Sequence, residues 1–109
     1  MILDIKSGLD PRVTQKEIPD FGSSSQMYNV RGKLMVDNDY SWERMNFSIP
    51  LNDARIISEH AVKMLCPTPI HQAVLHPYHA AVVQGYTDLD ATAVLKALET
   101  AANFERDTE

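Results

Sequence analysis

The chain has 109 residues, a net charge of −5 and a composition of 44% apolar and 23% charged residues. This length holds one domain with one core, and this composition excludes a disordered polypeptide or a fibrous repeat. The excess of acids argues against a surface built throughout for nucleic acid or anionic lipid. We therefore predict a single domain over residues 1–109.

The sequence also predicts a compartment. The longest strictly apolar run, residues 80–83, is far too short to span a bilayer. The opening residues carry Asp4 within their apolar stretch and do not have the pattern of a signal peptide. Cys66 is the only cysteine, so an intrachain disulfide cannot form. We expect a cytoplasmic protein with no membrane association.

The first half of the chain predicts strands. Residues 1–6 resemble a short strand, and residues 7–25, with two prolines and a serine run, predict a long loop. Residues 26–37 and 41–50 both alternate apolar and polar side chains, the period of a half-buried strand. Between them, residues 37–39 are Asp, Asn and Asp, which favour a turn. The pair is predicted to form an antiparallel hairpin.

The second half predicts two main helices. Pro50 ends the second hairpin strand, and Asn52 or Asp53 can cap a helix that runs through residue 65. Thr68 before Pro69 predicts a short helical turn to about residue 76, followed by a central strand over 79–86. A final helix is expected over about 89–104, with a frayed tail at 105–109. The predicted fold is therefore α+β, an antiparallel sheet with two helices packed on one face.

The predicted hairpin presents a basic, aromatic face away from the core. Matching the two apolar faces fixes the register and sets Lys33 opposite Arg44, two like charges that repel unless something anionic lies on them. Three anionic partners are candidates for this face: a single nucleic acid strand, an acidic surface of another protein, and the chain's own acidic C-terminal helix. Alternatively, the face is exposed to solvent and has no partner. The predicted binding face consists of Arg31, Lys33, Tyr40, Trp42 and Arg44.

Four residues of zinc-binding types lie close together in sequence: Cys66, His71, His76 and His79. Their spacing matches no zinc pattern known to us, so they are weak candidates and we predict no metal. Cys66 with a nearby histidine also has the composition of a nucleophile and base, with Glu59 or Asp53 to orient the ring. A thiol that follows a helix instead of preceding one is better explained as inert.

Residues 66–87 contain no Asp, Glu, Lys or Arg. Cores of interfaces are depleted of charge and enriched in tyrosine, so this stretch predicts a homodimer contact. A central strand buried inside the monomer is the alternative and accounts for only part of the stretch. The predicted interface residues are Tyr78, Val82, Val83 and Tyr86.

Functionally, the sequence favours a small non-enzymatic interaction protein that binds another copy of itself and another protein. No phosphate-binding loop, nucleophile elbow or carboxylate pair is recognisable, so no catalytic residue and no cofactor are predicted. The alternatives are a binder of small ligands or single-stranded nucleic acid on the hairpin face, and a metal-dependent enzyme using the Cys/His segment.

Overall fold

The computed structural model describes residues 1–41 and 45–106, apart from the side chain of Phe21. These ranges form helices and turns. A π-helical turn at Pro19–Ser23 follows the second helix, and a 3-10 turn at Ala91–Ala93 precedes the last. The α-helices are α1 (Ile2–Lys6), α2 (Pro11–Ile18), α3 (Gln26–Asp37), α4 (Ser48–Lys63), α5 (Pro69–Val83) and α6 (Val94–Ala101).

The predicted α+β fold with an antiparallel sheet is wrong. The described residues contain no sheet, and their one strand-like pairing is an isolated antiparallel bridge between Asn46 and Asp90. Ile2–Lys6, predicted as a strand, is helical, and the predicted loop over 7–25 contains α2, which Asp10 caps by accepting a hydrogen bond from the backbone N–H of Arg12 (2.9 Å). A proline at the first position of α2 suits a helix start, because its missing N–H has no partner there in any case.

Residues 26–37, the first predicted hairpin strand, form α3 because both ends of this segment are capped. The hydroxyl of Ser25 accepts from the backbone N–H of Tyr28 (3.0 Å), and Asn38 adopts the left-handed conformation that closes many helices. Some apolar residues of this segment also fall at the spacing of a helix face, so the alternating pattern does not require a strand. The hairpin therefore has no first strand.

Helix α4 begins earlier than predicted and takes up the end of the second hairpin strand. The side chain of Asn46 accepts from the backbone N–H of Ser48 (3.0 Å), so the chain turns into the helix before Pro50. A proline is tolerated in the first turn, where backbone N–H groups have no intrahelical partner. Residues 42–44, the middle of that predicted strand, lie outside the described residues.

Helix α5 starts where predicted, with Thr68 before it and Pro69 at its first position. It then continues through Pro77 to Val83, so the predicted central strand over 79–86 is wrong. A proline inside a helix removes one backbone hydrogen bond, and the turn can continue when alanines such as Ala80 and Ala81 favour it. The prediction of a final helical segment is confirmed, but this segment consists of the 3-10 turn followed by α6.

The core is small and lies where α5, α6 and the segment before α4 meet. Phe47 is fully buried and meets the ring of Tyr78 edge-on, with centroids 6.0 Å apart. Most other buried apolar residues among those described are alanines, which let the helices approach closely but bury little area each. No helix in the described part of the chain is long and apolar enough to cross a bilayer.

Candidate functional site

A buried ion pair joins α3 to the start of the last helical segment. One carboxylate oxygen of Asp90 pairs with Arg31, and the other accepts from the backbone N–H (3.0 Å) and the hydroxyl (2.5 Å) of Thr92. Burial raises the pKa of Asp90, but the hydrogen bonds from Thr92 and the charge of Arg31 outweigh it and hold the pKa below its usual value. Both oxygens are engaged, so this pair has a structural role.

A second cluster forms around Arg106. Its guanidinium donates to the carboxylate of Glu99 (2.8 Å), the carbonyl of Met35 (2.6 Å), the side-chain oxygen of Asn38 (3.1 Å) and the hydroxyl of Tyr40 (3.1 Å). A guanidinium can satisfy this many acceptors because its donors are fixed in one plane. Arg106 thereby holds the C-terminal segment against the end of α3.

Tyr40 lies beneath this cluster and is almost fully buried, with 3% of its surface exposed. Burial raises its pKa to about 12, more than the charge of Arg106 lowers it. The phenol is therefore neutral at physiological pH. Its oxygen accepts from Arg106, and its ring forms part of the floor beneath Lys96.

An open cleft of about 390 Å³ lies beside these residues. The ammonium of Lys96 sits 5.5 Å from the ring centroid of Tyr40 and 5.8 Å from that of Tyr86, positions typical of cation–π contacts. No salt bridge to Lys96 is found within residues 1–41 and 45–106. The cleft is lined by Asn38, Tyr86, Lys96, Glu99, Thr100, Phe104, Glu105 and Arg106.

The cleft can hold a small polar molecule. Glu99 and Arg106 form a salt bridge (2.8 Å), so Lys96 is the cation of the cleft that is available to an anionic ligand, and Glu105 also lines the cleft. The amide nitrogen of Asn38 adds a neutral donor, whereas the hydroxyl of Thr100 donates to the backbone carbonyl of Lys96 (3.1 Å). This combination suits the carboxylate of a small acid, held by one charge and adjacent dipoles.

A serine and a histidine meet between α4 and α5. The Nε2 atom of His71 lies 3.3 Å from the hydroxyl of Ser58 and 3.4 Å from the carbonyl oxygen of Ala54, and Gln72 donates to the same hydroxyl (3.0 Å). One ring nitrogen cannot donate to a carbonyl and accept the serine proton at once. The tautomer of His71 decides which of the two contacts is a hydrogen bond, and either one joins α5 to α4.

The predicted binding face is not assembled in the described residues. Arg31 and Lys33 lie on α3, where Arg31 pairs with Asp90 and the exposed Lys33 pairs with Asp37 one turn away. Tyr40 is buried. Trp42 and Arg44 lie outside the described residues, so the binding role of these side chains stays a prediction.

The predicted metal candidates are similarly dispersed. Cys66 lies in the exposed connection before α5, and the three histidines, His71, His76 and His79, lie along that helix. Nowhere in the described ranges do three or more His, Cys, Asp or Glu side chains converge to hold a metal ion. The sulfur of Cys66 lies near the carbonyl of Pro67 (3.9 Å), and no histidine is hydrogen-bonded to it in this part of the structure.

The predicted interface residues divide into two groups. Tyr78, Val82 and Tyr86 are partly buried and pack against the monomer's own core. Val83 is 87% exposed at the end of α5. Three of the four predicted residues therefore contact the core of the chain itself, whereas most of residues 66–87 are exposed, and the homodimer contact stays a prediction.

Sequence reasoning missed Lys96, Glu99 and Arg106. Lys96 and Glu99 were included in a helix predicted only from its apolar stripe, and Arg106 was placed in a frayed tail. A single charged residue carries no periodic signal, so its partners become visible only after folding. Asp90 did offer a signal, because aspartate is one of the preferred residues at the start of a helix, where its side chain accepts from a backbone N–H two residues later.

Comparisons with known proteins place the chain beside two oxidoreductases. No family model matches it. It is 29% identical over 109 residues, 96% of this chain, to glyoxylate/succinic semialdehyde reductase 2, chloroplastic, from Arabidopsis thaliana. Its fold is similar to the crystal structure of 3-hydroxyisobutyrate dehydrogenase from Salmonella typhimurium, with a TM-score of 0.81 and 26% identity over 88% of this chain.

The chain spans about a third of the length of these relatives, 29% of the plant reductase and 33% of the Salmonella dehydrogenase. The prediction of a non-enzymatic interaction protein is wrong in the light of these similarities, because both relatives are named as enzymes that carry out redox chemistry. The sequence did not reveal this, because the segment shared with them contains no recognisable catalytic motif.

Proposed function

We propose that this chain is the helical part of an oxidoreductase that interconverts a hydroxyl and a carbonyl group on a small carboxylic acid. The carrying observation is the shared fold with the Salmonella dehydrogenase over 88% of the chain, with 26% sequence identity. The plant reductase supports the same chemistry. Glyoxylate, succinic semialdehyde and 3-hydroxyisobutyrate are all short carboxylates that bear an aldehyde or a hydroxyl group.

Such a reaction needs a two-electron donor or acceptor, for which a nicotinamide dinucleotide is the usual group. Its pyrophosphate binds at a glycine-rich turn between a strand and a helix, with glycines two and three residues apart. The four glycines here are at positions 8, 22, 32 and 85, never closer than ten residues, so the chain does not fit a dinucleotide. The hydride carrier would therefore bind outside these 109 residues.

The cleft beside Lys96 is where we place the substrate carboxylate. The ammonium is held over two tyrosine rings and has no salt bridge to the described residues. A carboxylate would gain a charge-assisted hydrogen bond there. Lys96 would position the acid, and the hydride would come from the part of the enzyme that binds the carrier.

The direct test uses the protein that carries this sequence, purified from its source cells. We expect it to reduce glyoxylate or succinic semialdehyde with NADH or NADPH, or to oxidise 3-hydroxyisobutyrate with NAD or NADP. The Lys96→Met variant should raise KM about tenfold or more, with a smaller effect on kcat, and Lys96→Arg should retain more of the affinity. Absence of turnover on all three acids would remove the proposal.

The 109-residue chain by itself provides the matched comparison. Since it does not fit a dinucleotide, we expect it to bind neither NADH nor NADPH in a fluorescence titration. Tight binding of either nucleotide to this chain alone would show that the carrier site has been assigned to the wrong part of the protein.

We also infer that the protein works in the cytoplasm. The single cysteine, which requires no oxidising compartment, supports this, while the plant relative is named as chloroplastic. Imaging of a fluorescent fusion to the protein in its source cells tests the assignment, and an organellar signal would contradict it.

A further inference from the structure

Two tyrosines follow helices that end in the same way. After α5, Gly85 has a φ of +92°, and the backbone N–H of Tyr86 returns to the carbonyl of Ala81 (3.0 Å). After α3, Asn38 has a φ of 52°, and Tyr40 follows two residues later. A left-handed residue at the end of a helix reverses the direction of the chain. Both reversals bring a tyrosine ring against the core of the protein.

The two rings differ in how firmly the fold holds them. Tyr40 is 3% exposed, its carbonyl accepts from the backbone N–H of Asp90 (3.0 Å), and its hydroxyl accepts from Arg106 (3.1 Å). Tyr86 is half-buried, packs against the core and also lines the open cleft. Tyr40 therefore serves the fold first, whereas Tyr86 is the ring that borders both the core and the cleft.

The ammonium of Lys96 lies over both rings, 5.5 Å from the centroid of Tyr40 and 5.8 Å from that of Tyr86. Among residues 1–41 and 45–106, no carboxylate forms a salt bridge with it. A free lysine samples many rotamers, so fixing it on a ligand costs conformational entropy. The attraction of a cation to the faces of two rings restricts this freedom before any ligand binds.

We propose that Tyr86 is a positioning residue for the substrate carboxylate, because its ring holds the ammonium of Lys96 in the cleft in the orientation that binds the acid. The proposal rests on the function proposed above, in which Lys96 binds that carboxylate. A salt bridge at this place would occupy the N–H donors of the ammonium and compete with the substrate. An aromatic face attracts the charge and leaves those donors to the carboxylate.

The first experiment measures kcat and KM of the protein for whichever of the three acids named above it turns over. Tyr86→Leu should raise KM about three- to fivefold and change kcat less than about twofold, because the ring acts on binding of the acid. Tyr86→Phe keeps the aromatic face and should restore KM to within about twofold of the native value.

Tyr78→Leu is the matched control for a loosened core. Tyr78 is partly buried in the same core, where its ring meets Phe47, and it is not among the residues that line the cleft. This variant should lower the thermal stability of the protein without raising KM. An equal rise of KM in Tyr78→Leu and Tyr86→Leu would assign the effect to the core and overturn the proposal.

A double-mutant cycle tests whether Tyr86 acts through Lys96. Lys96→Met keeps most of the side-chain stem and removes the charge. In this background, the further substitution Tyr86→Leu should change KM by less than about 1.5-fold, because the ring no longer has an ammonium to hold. A full three- to fivefold effect that persists without the charge would show that Tyr86 acts independently of Lys96, which overturns the proposal.

Nuclear magnetic resonance gives a readout that does not depend on turnover. In the chain labelled with 13C-lysine, the ε-methylene signal of Lys96 is identified by its absence in Lys96→Met. It should lie upfield of the signals of the other four lysines, because protons over an aromatic face are shielded. Tyr86→Leu should move it toward them. Titration with glyoxylate should shift the same signal, and Tyr86→Leu should raise the dissociation constant by the factor found for KM.

The outcomes separate this proposal from the redox function. Absence of turnover on all three acids refutes the redox function, and the glyoxylate titration then decides the role of Tyr86. A Lys96 signal within the range of the other lysines, or one that does not respond to glyoxylate, overturns the proposal. An unchanged dissociation constant in Tyr86→Leu also overturns it, even in an enzyme that turns over all three acids.

Discussion

Arg31 and Asp90, fifty-nine residues apart in the chain, form an ion pair that is almost entirely withdrawn from water. The Asp90 side chain is fully buried and that of Arg31 is 14% exposed. Asp90 also caps the 3-10 turn through Thr92, and its backbone N–H donates to the carbonyl of Tyr40 (3.0 Å). One residue thus connects α3, the segment before α4 and the start of the last helix.

Removing the charge of Asp90 should destabilise the fold strongly. Asp90→Asn keeps the shape of the side chain but removes the negative charge that faces Arg31, and we expect a loss of about 3 kcal/mol in the free energy of unfolding, measured in urea. Asp37→Asn is the matched control, since its exposed pair with Lys33 contributes less than about 0.5 kcal/mol. Equal, small losses in both variants would contradict a structural role for the buried pair.

The same residue predicts how stability depends on pH. The pKa of Asp90 is lower in the folded protein than in the unfolded chain, so its contribution is present above the unfolded pKa, about 3.9, and is lost as the pH falls through the folded pKa. Urea unfolding between pH 7 and pH 2 should show stability decreasing toward the acid end. In Asp90→Asn the decrease should be shallower, and an unchanged slope would contradict the prediction. Asp39, whose pKa is lowered by hydrogen bonds from Ser41, contributes in the same direction and remains in both proteins.

Substitution of two glycines by alanine should change the free energy of unfolding in opposite directions. Gly32 lies inside α3, where an added methyl group would meet only ordinary contacts, the nearest being Gln15 at 3.4 Å. Gly32→Ala should therefore raise the free energy of unfolding by about 0.5–1 kcal/mol, because glycine weakens a helix interior. Gly85 has a φ of +92° after α5, and Gly85→Ala should lower stability by about 1 kcal/mol despite open space around it. Thermal and urea unfolding of the two variants measure both signs, and a destabilised Gly32→Ala would show that α2 and α3 pack more tightly than described.

The sequence predicted best where caps and prolines mark a helix. Thr68 before Pro69 locates the start of α5, and the apolar stripe over residues 89–104 identifies the last helical segment. It failed at residues 26–37, because apolar residues there satisfy a period of two as well as a helical face, and the deciding contacts are Ser25 with Tyr28 and the left-handed Asn38. A local pattern that is compatible with two periods cannot by itself choose between them.

The candidate site was not predictable for a different reason. Its members come from the end of α3, from α6 and from the residues after α6, so their proximity depends on how the helices pack. The guanidinium of Arg106 reaches the carbonyl of Met35, seventy-one residues earlier, and no pattern of apolar residues around position 106 indicates this contact. The redox relationship likewise becomes visible only by comparison, since the chain spans about a third of each relative.

Arg106 should be irreplaceable by lysine, although the charge is kept. Its planar guanidinium serves Glu99, Met35, Asn38 and Tyr40 together, and an ammonium cannot reach these separated acceptors from one position. We expect Arg106→Lys to lose about 2 kcal/mol of unfolding free energy. Arg55→Lys is the matched control, because Arg55 also pairs with a glutamate but is exposed, and it should change stability by less than about 0.5 kcal/mol.

Trypsin gives a local readout of the same substitution. The side chain of Arg106 is 10% exposed, so the native protein should resist cleavage after residue 106. In Arg106→Lys the residues after α6 lose most of their hydrogen bonds to α3, and the new lysine should become a cleavage site at protease concentrations that leave the native chain intact. Mass spectrometry detects the release of the last three residues. Equal cleavage of both proteins at this position would show that Arg106 does not hold the C-terminal segment, whereas selective cleavage of the variant alone would assign that role to its guanidinium.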